Sequence, residues 1–488
     1  MRPPTEPLAT LSPRTHVCDG GRSLLGVAGG VAGGVGGESG LVRLDDAEAA
    51  AVAAGPVGGE LARRLLDADL ADPLVTPRPV DAREVSVVVP VRDDAVRLGR
   101  LLAALREDLP PGVEVVVVDD ASRAPGEVAA VVLAHGARLV AHRRNRGPAA
   151  ARDSGLREVT TPCVAFVDVD VVPEPGWLER LLPHLDDPSL AVVAPRVLGP
   201  AARPGDGAVA RYEQARSSLD LGPAPAAVRA GGRVSYLPGA CLLARTAALG
   251  DGFDPRLRCG EDVDLVRRLL AAGWRVRYEP GAHVRHEHRT GVAAWAGRKA
   301  FYGTSAAPLA ARHPQAAASL VLRPWTVALL GGLVGAPLLG RRALAVTGAA
   351  AGLALVGRTR GLRRDGSPRP VRAAAVVVLE EAVAALWGSG SVLLREQWPT
   401  ALLAAVVSRR ARRTVVVVGV LDAVADHRRT GPRLGLLPYA ALRRLDDVAY
   451  GAGVWAGALR EGSVRALVPV RVSRPRRPTG RGGAAPRW

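Results

Sequence analysis

Three acidic clusters are the residues in this chain best suited to chemistry. Asp119-Asp120, Asp168-Val169-Asp170 and Glu261-Asp262 occur in a sequence with a formal net charge of +18. Desolvating a lone carboxylate costs several kcal/mol, so carboxylates that occur together predict a cation or a polar ligand between them. Such groups can bind a divalent cation, accept a hydrogen bond from a nucleotide base, or remove a proton from a hydroxyl.

The Asp168-Val169-Asp170 cluster comes directly after the apolar run Val164–Val167. Two acidic side chains at positions i and i+2 beyond a buried strand can reach a ribose and a divalent cation, and a hard cation that bridges a diphosphate needs few protein oxygens. Further along the chain, His286 or His288 offers an imidazole that completes such a metal site. Either histidine is equally compatible with an ordinary surface position.

The other two clusters each have a chemical and a structural interpretation. Glu261 and Asp262 open a predicted helix, and Asp262 fits a general base that takes a proton from an acceptor hydroxyl. Acidic residues also favour helix starts for structural reasons alone. A carboxylate of Asp119 or Asp120 can accept the imide N–H of a uracil ring, and the alternative is a turn or helix cap.

A basic segment lies between the first two acidic clusters. Arg143–Pro148 precedes a predicted helix over Gly147–Val159 that contains Arg152. Helix N-termini and guanidinium groups both favour phosphate, so this segment is a candidate diphosphate site. The alternative is a solvated basic loop.

The spacing of apolar residues predicts a doubly wound, mostly parallel α/β sheet that positions these groups. Helices are expected between strands at Val85–Val89, Val115–Val118, Ala137–Ala141 and Val164–Val167. In such sheets ligands bind beyond the carboxyl ends of the strands, where Asp119 and Asp168 fall.

Two further regions flank this α/β domain, which is expected to span residues 84–315. Residues 1–80 predict a small α+β module, winged-helix-like and possibly peptide-binding, with one helix over Asp46–Leu70; the alternative is a poorly ordered extension. Residues 320–470 are apolar and helical, and Trp325–Gly340 ends at an Arg cluster. We expect membrane-associated helices there, and the alternative is a buried helical core. Residues 472–488 predict a disordered basic tail.

Composition limits the partners that fit. A nucleic-acid partner would need a dense basic stripe or a recognisable motif, and the sequence has neither. An anionic membrane surface or a diphosphate substrate fits the positive charge better. The four cysteines have no zinc or disulfide spacing, and the N-terminus lacks the charged and apolar regions of a signal peptide. We therefore expect a location at the cell membrane with the catalytic domain on the cytoplasmic side.

The order of these motifs over residues 84–290 resembles the family 2 inverting glycosyltransferases, which have a GT-A fold. By this resemblance the nucleotide-sugar site comprises Pro90, Asp119, Asp120, Arg152 and Asp168. Asp170 would bind Mn²⁺ or Mg²⁺ with His286 or His288, Asp262 would be the catalytic base, and Glu261 would be its catalytic neighbour. Two residues depart from the family pattern: Ala121 replaces the usual Gly, and Asp153 replaces the usual Asn and brings a negative charge near the presumed diphosphate site.

A narrower resemblance is to the glycosyltransferases of mycofactocin systems. It is carried by Ser217–Gly222, Leu257–Leu265, Gly273–Pro280 and Phe301–Leu309. The resemblance implies UDP-glucose as donor and a peptide-derived redox cofactor precursor as acceptor. Trp295, Phe301 and Tyr302 could supply an aromatic face for that acceptor, or pack in the core.

Three other functions remain open from the sequence. The acceptor could be a lipid-linked or cell-wall glycan, which would suit the apolar C-terminal region. A nucleotidyltransferase also combines such a sheet with paired carboxylates, although it gives no reason for Glu261-Asp262. A non-catalytic membrane scaffold is the third, and the intact carboxylates argue against it.

Overall fold

The computed structural model describes residues 7–18, 21–26, 41–229, 232–314, 321–364, 369–468 and 470–471. The predicted disordered tail at 472–488 and the glycine-rich stretch at 29–40 lie outside the described residues. Three parts follow one another along the chain: a small N-terminal module, a central α/β domain and a C-terminal helical region.

The N-terminal module combines short antiparallel strands with two helices. Its elements are β1 (Ala9–Leu11), β2 (Thr15–Cys18), β3 (Ser23–Gly26), β4 (Leu41–Arg43), α1 (Asp46–Ala54), α2 (Gly59–Asp67) and β5 (Ala71–Pro73). β1 pairs with β5, and β2, β3 and β4 form a second sheet. The winged-helix-like assignment and any peptide binding stay predictions.

The single helix predicted over Asp46–Leu70 is wrong, because the chain forms two helices. Gly55 ends α1 with a φ of +133°, a conformation that favours glycine, and Pro56 follows it. The first helix is well started, since Asp45 and Glu48 form a reciprocal capping box. The break lets α2 bury Leu65 against the short strands.

The central domain is built on a nine-stranded mixed sheet. Its strands are β6 (Val85–Val91), β7 (Val115–Asp119), β8 (Arg138–Ala141), β9 (Cys163–Val167), β10 (Val171–Pro173), β11 (Leu190–Leu198), β12 (Ala226–Ala227), β13 (Cys241–Arg245) and β14 (Arg275–His286). The order is β10-β14-β11-β13-β9-β6-β7-β8, with β12 beside β14. Strands β9, β6, β7 and β8 are parallel to one another, as predicted, whereas β13 runs antiparallel to both β9 and β11.

Helices cover both faces of this sheet, which confirms the doubly wound architecture. They are α3 (Ala95–Asp108), α4 (Pro125–Ala134), α5 (Pro148–Leu156), α6 (Trp177–Leu181), α7 (Ala208–Ala215), α8 (Glu261–Ala271), α9 (Val292–Gly303) and α10 (Ala306–Arg312). Alternate residues of β6 divide between two cores: Val87 packs with α3 and α4, and Val88 packs with α5 and α8. This alternation is the two-residue period of a strand buried on both sides.

The C-terminal region is helical, with one short parallel strand pair, β15 (Val321–Leu322) and β16 (Val470–Arg471). Its helices are α11 (Pro324–Leu339), α12 (Arg341–Arg364), α13 (Pro370–Arg395), α14 (Trp398–Val407), α15 (Arg409–Thr430) and α16 (Leu436–Arg460). Within the ranges described, one of them, α13, is long and apolar enough to cross a bilayer, and 17% of its most apolar window is buried.

Helix α16 packs directly on α9 of the central domain through glycines. A Cβ atom on Gly453 would lie 1.8 Å from the carbonyl oxygen of Ala300, and one on Gly303 would lie 2.1 Å from that of Tyr450. Only hydrogen fits at these positions, so the two backbones approach as closely as small residues allow. The C-terminal helical region therefore packs against the central domain through the contact between α16 and α9.

Candidate active site

The predicted catalytic base lies at the start of α8, held by backbone donors. Asp262 Oδ2 accepts a hydrogen bond from Gly239 N at 2.6 Å, and Oδ1 accepts one from Val263 N at 2.8 Å. Gly260 precedes the helix with a φ of +80°, which favours glycine and turns the chain sharply into the site. Although Asp262 keeps some exposure, burial and the charge of Glu261 raise its pKa to about 7. A carboxylate with that pKa is suited to exchange a proton near neutral pH.

A buried arginine joins the second acidic cluster to the third. Arg152 is 2% exposed, and it donates to Glu261 Oε1 at 2.7 Å and to Asp168 Oδ1 at 2.6 Å. Its guanidinium also lies 5.4 Å from the centre of the Phe253 ring. Burial lowers the pKa of Arg152, but the charges of Asp168 and Glu261 outweigh this and raise the pKa. Arg152 therefore stays charged and fixes the end of β9 against the start of α8.

Two residues assigned to the metal, Asp170 and His286, lie side by side. Asp170 Oδ2 lies 3.4 Å from His286 Nε2, at the point where β10 pairs with the end of β14. Burial raises the pKa of Asp170, but its interaction with the His286 ring dominates and holds the pKa at about 2. Burial raises the pKa of the neighbouring Asp168, and the charge of Arg152 opposes that rise. Asp170 is therefore ionised at neutral pH.

His288 contacts His286 and Glu213. The two Nδ1 atoms are 3.1 Å apart, and His288 Nδ1 is 3.6 Å from Glu213 Oε2. Burial, with a smaller effect of the neighbouring His286 ring, lowers the pKa of His288 to about 3. Of the two histidines proposed for the metal, the structure puts His286 beside Asp170 and His288 in a supporting position.

The first acidic cluster uses most of its oxygens within the protein. Asp120 accepts from Arg146 N at 2.8 Å, Gly147 N at 2.7 Å and the His142 ring at 2.7 Å, so it shapes the basic segment before α5. Asp119 Oδ1 accepts two hydrogen bonds from Ser122, from its backbone nitrogen at 3.0 Å and its hydroxyl at 2.5 Å. Asp119 is thus the better candidate of the two for a nucleotide base, and Asp120 mainly holds the loop.

The two departures from the family pattern have structural explanations. Ala121 takes a φ of +60°, the left-handed conformation for which the usual glycine is suited. Asp153 Oδ1 accepts a hydrogen bond from Phe253 N at 2.8 Å, so its charge is used on the turn after β13. Neither residue occupies the position of a catalytic group.

Four of the predicted site residues form one hydrogen-bonded set. Arg152, Asp168, Glu261 and Asp262 are linked through hydrogen bonds to one another or to Gly239. Pro90 pairs with Val118 on the adjacent strand, one residue before Asp119. In the part of the chain that is described, no three His, Cys, Asp or Glu side chains are placed to surround an ion by themselves.

The suggested aromatic acceptor face is only partly available. Trp295 is 2% exposed, and its Nε1 donates to Glu213 Oε1 at 2.7 Å, so for this residue the alternative of core packing holds. Phe301 is 39% exposed and lies with Tyr302 beneath the Arg298 guanidinium. Sequence reasoning missed Glu213, Gly239 and the pairing of Lys299, because their partners are distant along the chain.

The sheet, its paired helices and the carboxylates at the strand ends define the class of protein. The chain matches the description "Glycosyl transferase family 2" over residues 86–237 and "Glycosyl transferase family group 2" over residues 163–357. Together with the doubly wound mixed sheet, these matches define a glycosyltransferase of GT-A fold.

Curated relatives identify the group within the family to which the chain belongs. The chain is 44% identical over 432 residues to the pre-mycofactocin glycosyltransferases of two Mycobacterium tuberculosis strains, covering 85% of this chain and 87% of theirs. A more distant relative is the succinoglycan biosynthesis protein ExoU of Rhizobium meliloti, 27% identical over 40% of this chain and 59% of that protein. The chain therefore belongs to family 2 of the glycosyltransferases and, within it, to the group of the pre-mycofactocin glycosyltransferases.

Solved structures of glycosyltransferases also resemble the chain loosely. A mannosyltransferase of Pyrobaculum calidifontis, in complex with GDP-Man and Mn²⁺, is 22% identical and covers 64% of this chain and 88% of its own, with a TM-score of 0.37. S. aureus TarS 1–349 is 20% identical over 46% of this chain and 65% of its own, with a TM-score of 0.35. Superpositions this loose do not equate individual residues.

Proposed function

We propose that this enzyme is a metal-dependent, inverting glycosyltransferase that moves glucose from UDP-glucose to a hydroxyl group of the mycofactocin precursor. The observation that carries the catalytic part is Asp262, a carboxylate whose pKa is raised to about 7 at the rim of the sheet. Arg152 donates hydrogen bonds to both Glu261, the residue next to Asp262, and Asp168. The proposed base and the proposed donor-binding carboxylate therefore belong to one hydrogen-bonded arrangement.

The reaction is a single displacement at the anomeric carbon. Asp262 takes the proton of the acceptor hydroxyl as its oxygen attacks C1 of the glucose unit. The bond from C1 to the diphosphate oxygen breaks on the opposite face, and UDP leaves with that electron pair. Attack from the face opposite the leaving group inverts the configuration, and no covalent enzyme intermediate is needed.

The residues at the start of β10 and at the end of β14 fit a divalent cation. Asp170 is ionised at neutral pH, and His286 Nε2 lies 3.4 Å from its Oδ2, so one oxygen and one nitrogen donor converge. Two protein donors suit an Mn²⁺ or Mg²⁺ ion whose other ligands come from a diphosphate and water. When bound there, the ion would neutralise charge on the leaving diphosphate.

The donor and acceptor assignments rest on relatives. Proteins 44% identical to the chain are named pre-mycofactocin glycosyltransferases, and the quoted segments Ser217–Gly222 and Phe301–Leu309 resemble that group. Phe301, 39% exposed, together with Tyr302 offers a small aromatic surface beside Arg298 for an acceptor ring. A lipid-linked glycan remains the second candidate acceptor, since the C-terminal helices expose many apolar side chains.

The catalytic assignment is tested with Asp262→Asn. This variant should keep donor binding and lose turnover by roughly 100-fold or more, the usual size of a general-base effect. Asp264→Asn is the matched control, because Asp264 lies two residues further on but bonds to Arg268 and His313. It should lower stability and leave kcat per folded molecule near the wild-type value. A normal rate for Asp262→Asn would move the role of base elsewhere, with Glu261 as the first candidate.

The substrate assignment is tested by transfer with purified protein. UDP-glucose, UDP-GlcNAc and GDP-mannose are offered with the mycofactocin precursor, and mass spectrometry detects added hexose. Hexosylation from UDP-glucose alone supports the proposal. Transfer only to a polyprenyl-linked glycan would assign the lipid-linked alternative instead and leave the role of Asp262 intact.

We also propose that the C-terminal helices hold the enzyme at the cytoplasmic face of the cell membrane. Apolar side chains of α12, α14 and α15 are exposed, including Leu353 at 74%, Leu403 at 69% and Val407 at 86%. Apolar side chains exposed together in one region are typical of surfaces that bind a partner or a membrane. Arg341, Arg342, Arg358 and Arg360 on α12 suit anionic headgroups.

A further inference from the structure

The only lysine of the chain is buried behind the proposed metal site. Lys299 is 3% exposed, and its Nζ lies 2.8 Å from Glu213 Oε1 and 3.7 Å from Asp446 Oδ2. A buried ammonium group is tolerated only where opposite charges compensate for its lost hydration. Lys299 takes no part in the displacement described above, so its position has another cause.

Glu213 connects Lys299 to the histidines. Its Oε1 lies within bonding distance of both Lys299 and Trp295 Nε1, the latter at 2.7 Å. Its Oε2 lies 3.6 Å from His288 Nδ1, beyond an ordinary hydrogen bond. The negative charge of Glu213 is thus held by Lys299 on the side away from the imidazoles.

The histidine pair has two possible proton arrangements. The Nδ1 atoms of His286 and His288 are 3.1 Å apart, so one donates and the other accepts. An imidazole that binds a cation through Nε2 must carry its proton on Nδ1. Since His286 Nε2 is the atom that faces Asp170, cation binding requires His288 Nδ1 to accept. The His288 proton is then on Nε2, a buried atom with no hydrogen-bond partner in the described part of the chain.

We propose that Lys299 is a positioning residue that sets the tautomer of His286 through Glu213 and His288, and thereby the cation affinity of the site. The proposal rests on the metal-dependent function proposed above. With Lys299 present, Glu213 does not compete for the proton of His288. Without the ammonium group, the buried carboxylate favours the His288 tautomer whose proton is on Nδ1, and His286 Nδ1, 3.1 Å away, must then be the atom without a proton. The His286 proton then lies on Nε2 and faces the cation.

Asp446 brings the C-terminal region into the same arrangement. It lies on α16, where its Oδ2 accepts a hydrogen bond from Tyr212 OH at 3.0 Å and faces Lys299. Lys299 itself is on α9, the helix that α16 crosses at Gly303 and Gly453. The C-terminal helical region therefore supplies one of the two carboxylates that hold the lysine.

The test is Mn²⁺ titration of the full-length protein with UDP present, followed by electron paramagnetic resonance of the free ion. Lys299→Met should raise the Mn²⁺ dissociation constant by roughly tenfold or more, the usual effect of losing an outer partner of a metal-binding histidine. Lys299→Arg keeps the cation and should keep the affinity. Glu213→Gln, alone or with Lys299→Met, removes the competing carboxylate and should bind Mn²⁺ nearly as the wild type does.

Asp447→Asn is the matched control for loss of a buried charge. Asp447 is next to Asp446 on α16 but bonds to Arg443 at 2.6 Å. It should lower the melting temperature and leave Mn²⁺ affinity unchanged. The inference alone is overturned if Lys299→Met binds Mn²⁺ as the wild type does, if Glu213→Gln loses affinity, or if Asp447→Asn weakens binding equally. A wild-type protein that binds neither Mn²⁺ nor Mg²⁺ would overturn the metal dependence as well.

Discussion

The raised pKa of Asp262 predicts a specific pH dependence of transfer. The base must be ionised to accept a proton, so the rate follows the ionised fraction of a group with a pKa of about 7. That fraction rises from about one in eleven at pH 6 to about ten in eleven at pH 8, which predicts roughly a tenfold increase in kcat/KM for the acceptor. With the ordinary Asp pKa of 3.8, the rate would be nearly constant over this range.

The assay is initial-rate transfer to the acceptor from pH 5 to pH 9 at fixed Mn²⁺, with donor affinity measured by calorimetry at pH 6 and pH 8. Donor affinity should change far less than kcat/KM. Glu261→Gln should move the inflection to lower pH, because the charge of Glu261 raises the Asp262 pKa and its loss leaves Arg152 less compensated. A flat wild-type profile between pH 6 and pH 8 would refute the assignment of Asp262, as would an unmoved inflection in the variant.

Three further predictions concern the metal, the helix crossing and the membrane. Asp170→Asn should abolish most transfer, as should excess chelator, and full turnover under either condition would contradict the metal assignment. Gly453→Ala should cost about 1–3 kcal/mol or more of stability, since its Cβ would lie 1.8 Å from the Ala300 carbonyl oxygen, whereas Gly297→Ala on the open side of α9 should be neutral or slightly stabilising in thermal unfolding. The full chain should sediment with anionic vesicles at physiological salt, and recovery entirely in the soluble fraction would favour buried helices instead.

The sequence was most informative where one physical signal dominated. Short, Val-rich apolar runs such as Val115–Val118 and Val164–Val167 are typical of strands buried on both faces, and the structure has them within one residue of the predicted bounds. The break between α1 and α2 was also visible as Gly55-Pro56, but the apolar pattern of Leu61–Leu66 hid it.

The pairing of polar groups was much less accessible from the sequence. Asp119 and Asp120 are adjacent and chemically identical. Asp120 nevertheless accepts three hydrogen bonds, from the His142 ring and from the backbone of Arg146 and Gly147, which leaves Asp119 as the carboxylate available to a nucleotide base. The single lysine, Lys299, is evident in the sequence, but its partners are not. Glu213 comes 86 residues before it and Asp446 comes 147 residues after it. Such contacts depend on how distant elements pack, and no local pattern specifies them.

The glycine crossing of α9 and α16 has a consequence for anyone who wants a soluble form of this enzyme. Ending the chain near residue 314 would uncover the α9 backbone at Gly303 and remove Asp446 from Lys299. A better excision would replace the residues from α11 to α14 with a linker and retain α15 (Arg409–Thr430) and α16 (Leu436–Arg460), because Asp426 on α15 pairs with Arg216 of the central domain at 2.6 Å. In such a protein the two last helices would support the catalytic domain, and the part discarded would be four helices with many exposed apolar side chains.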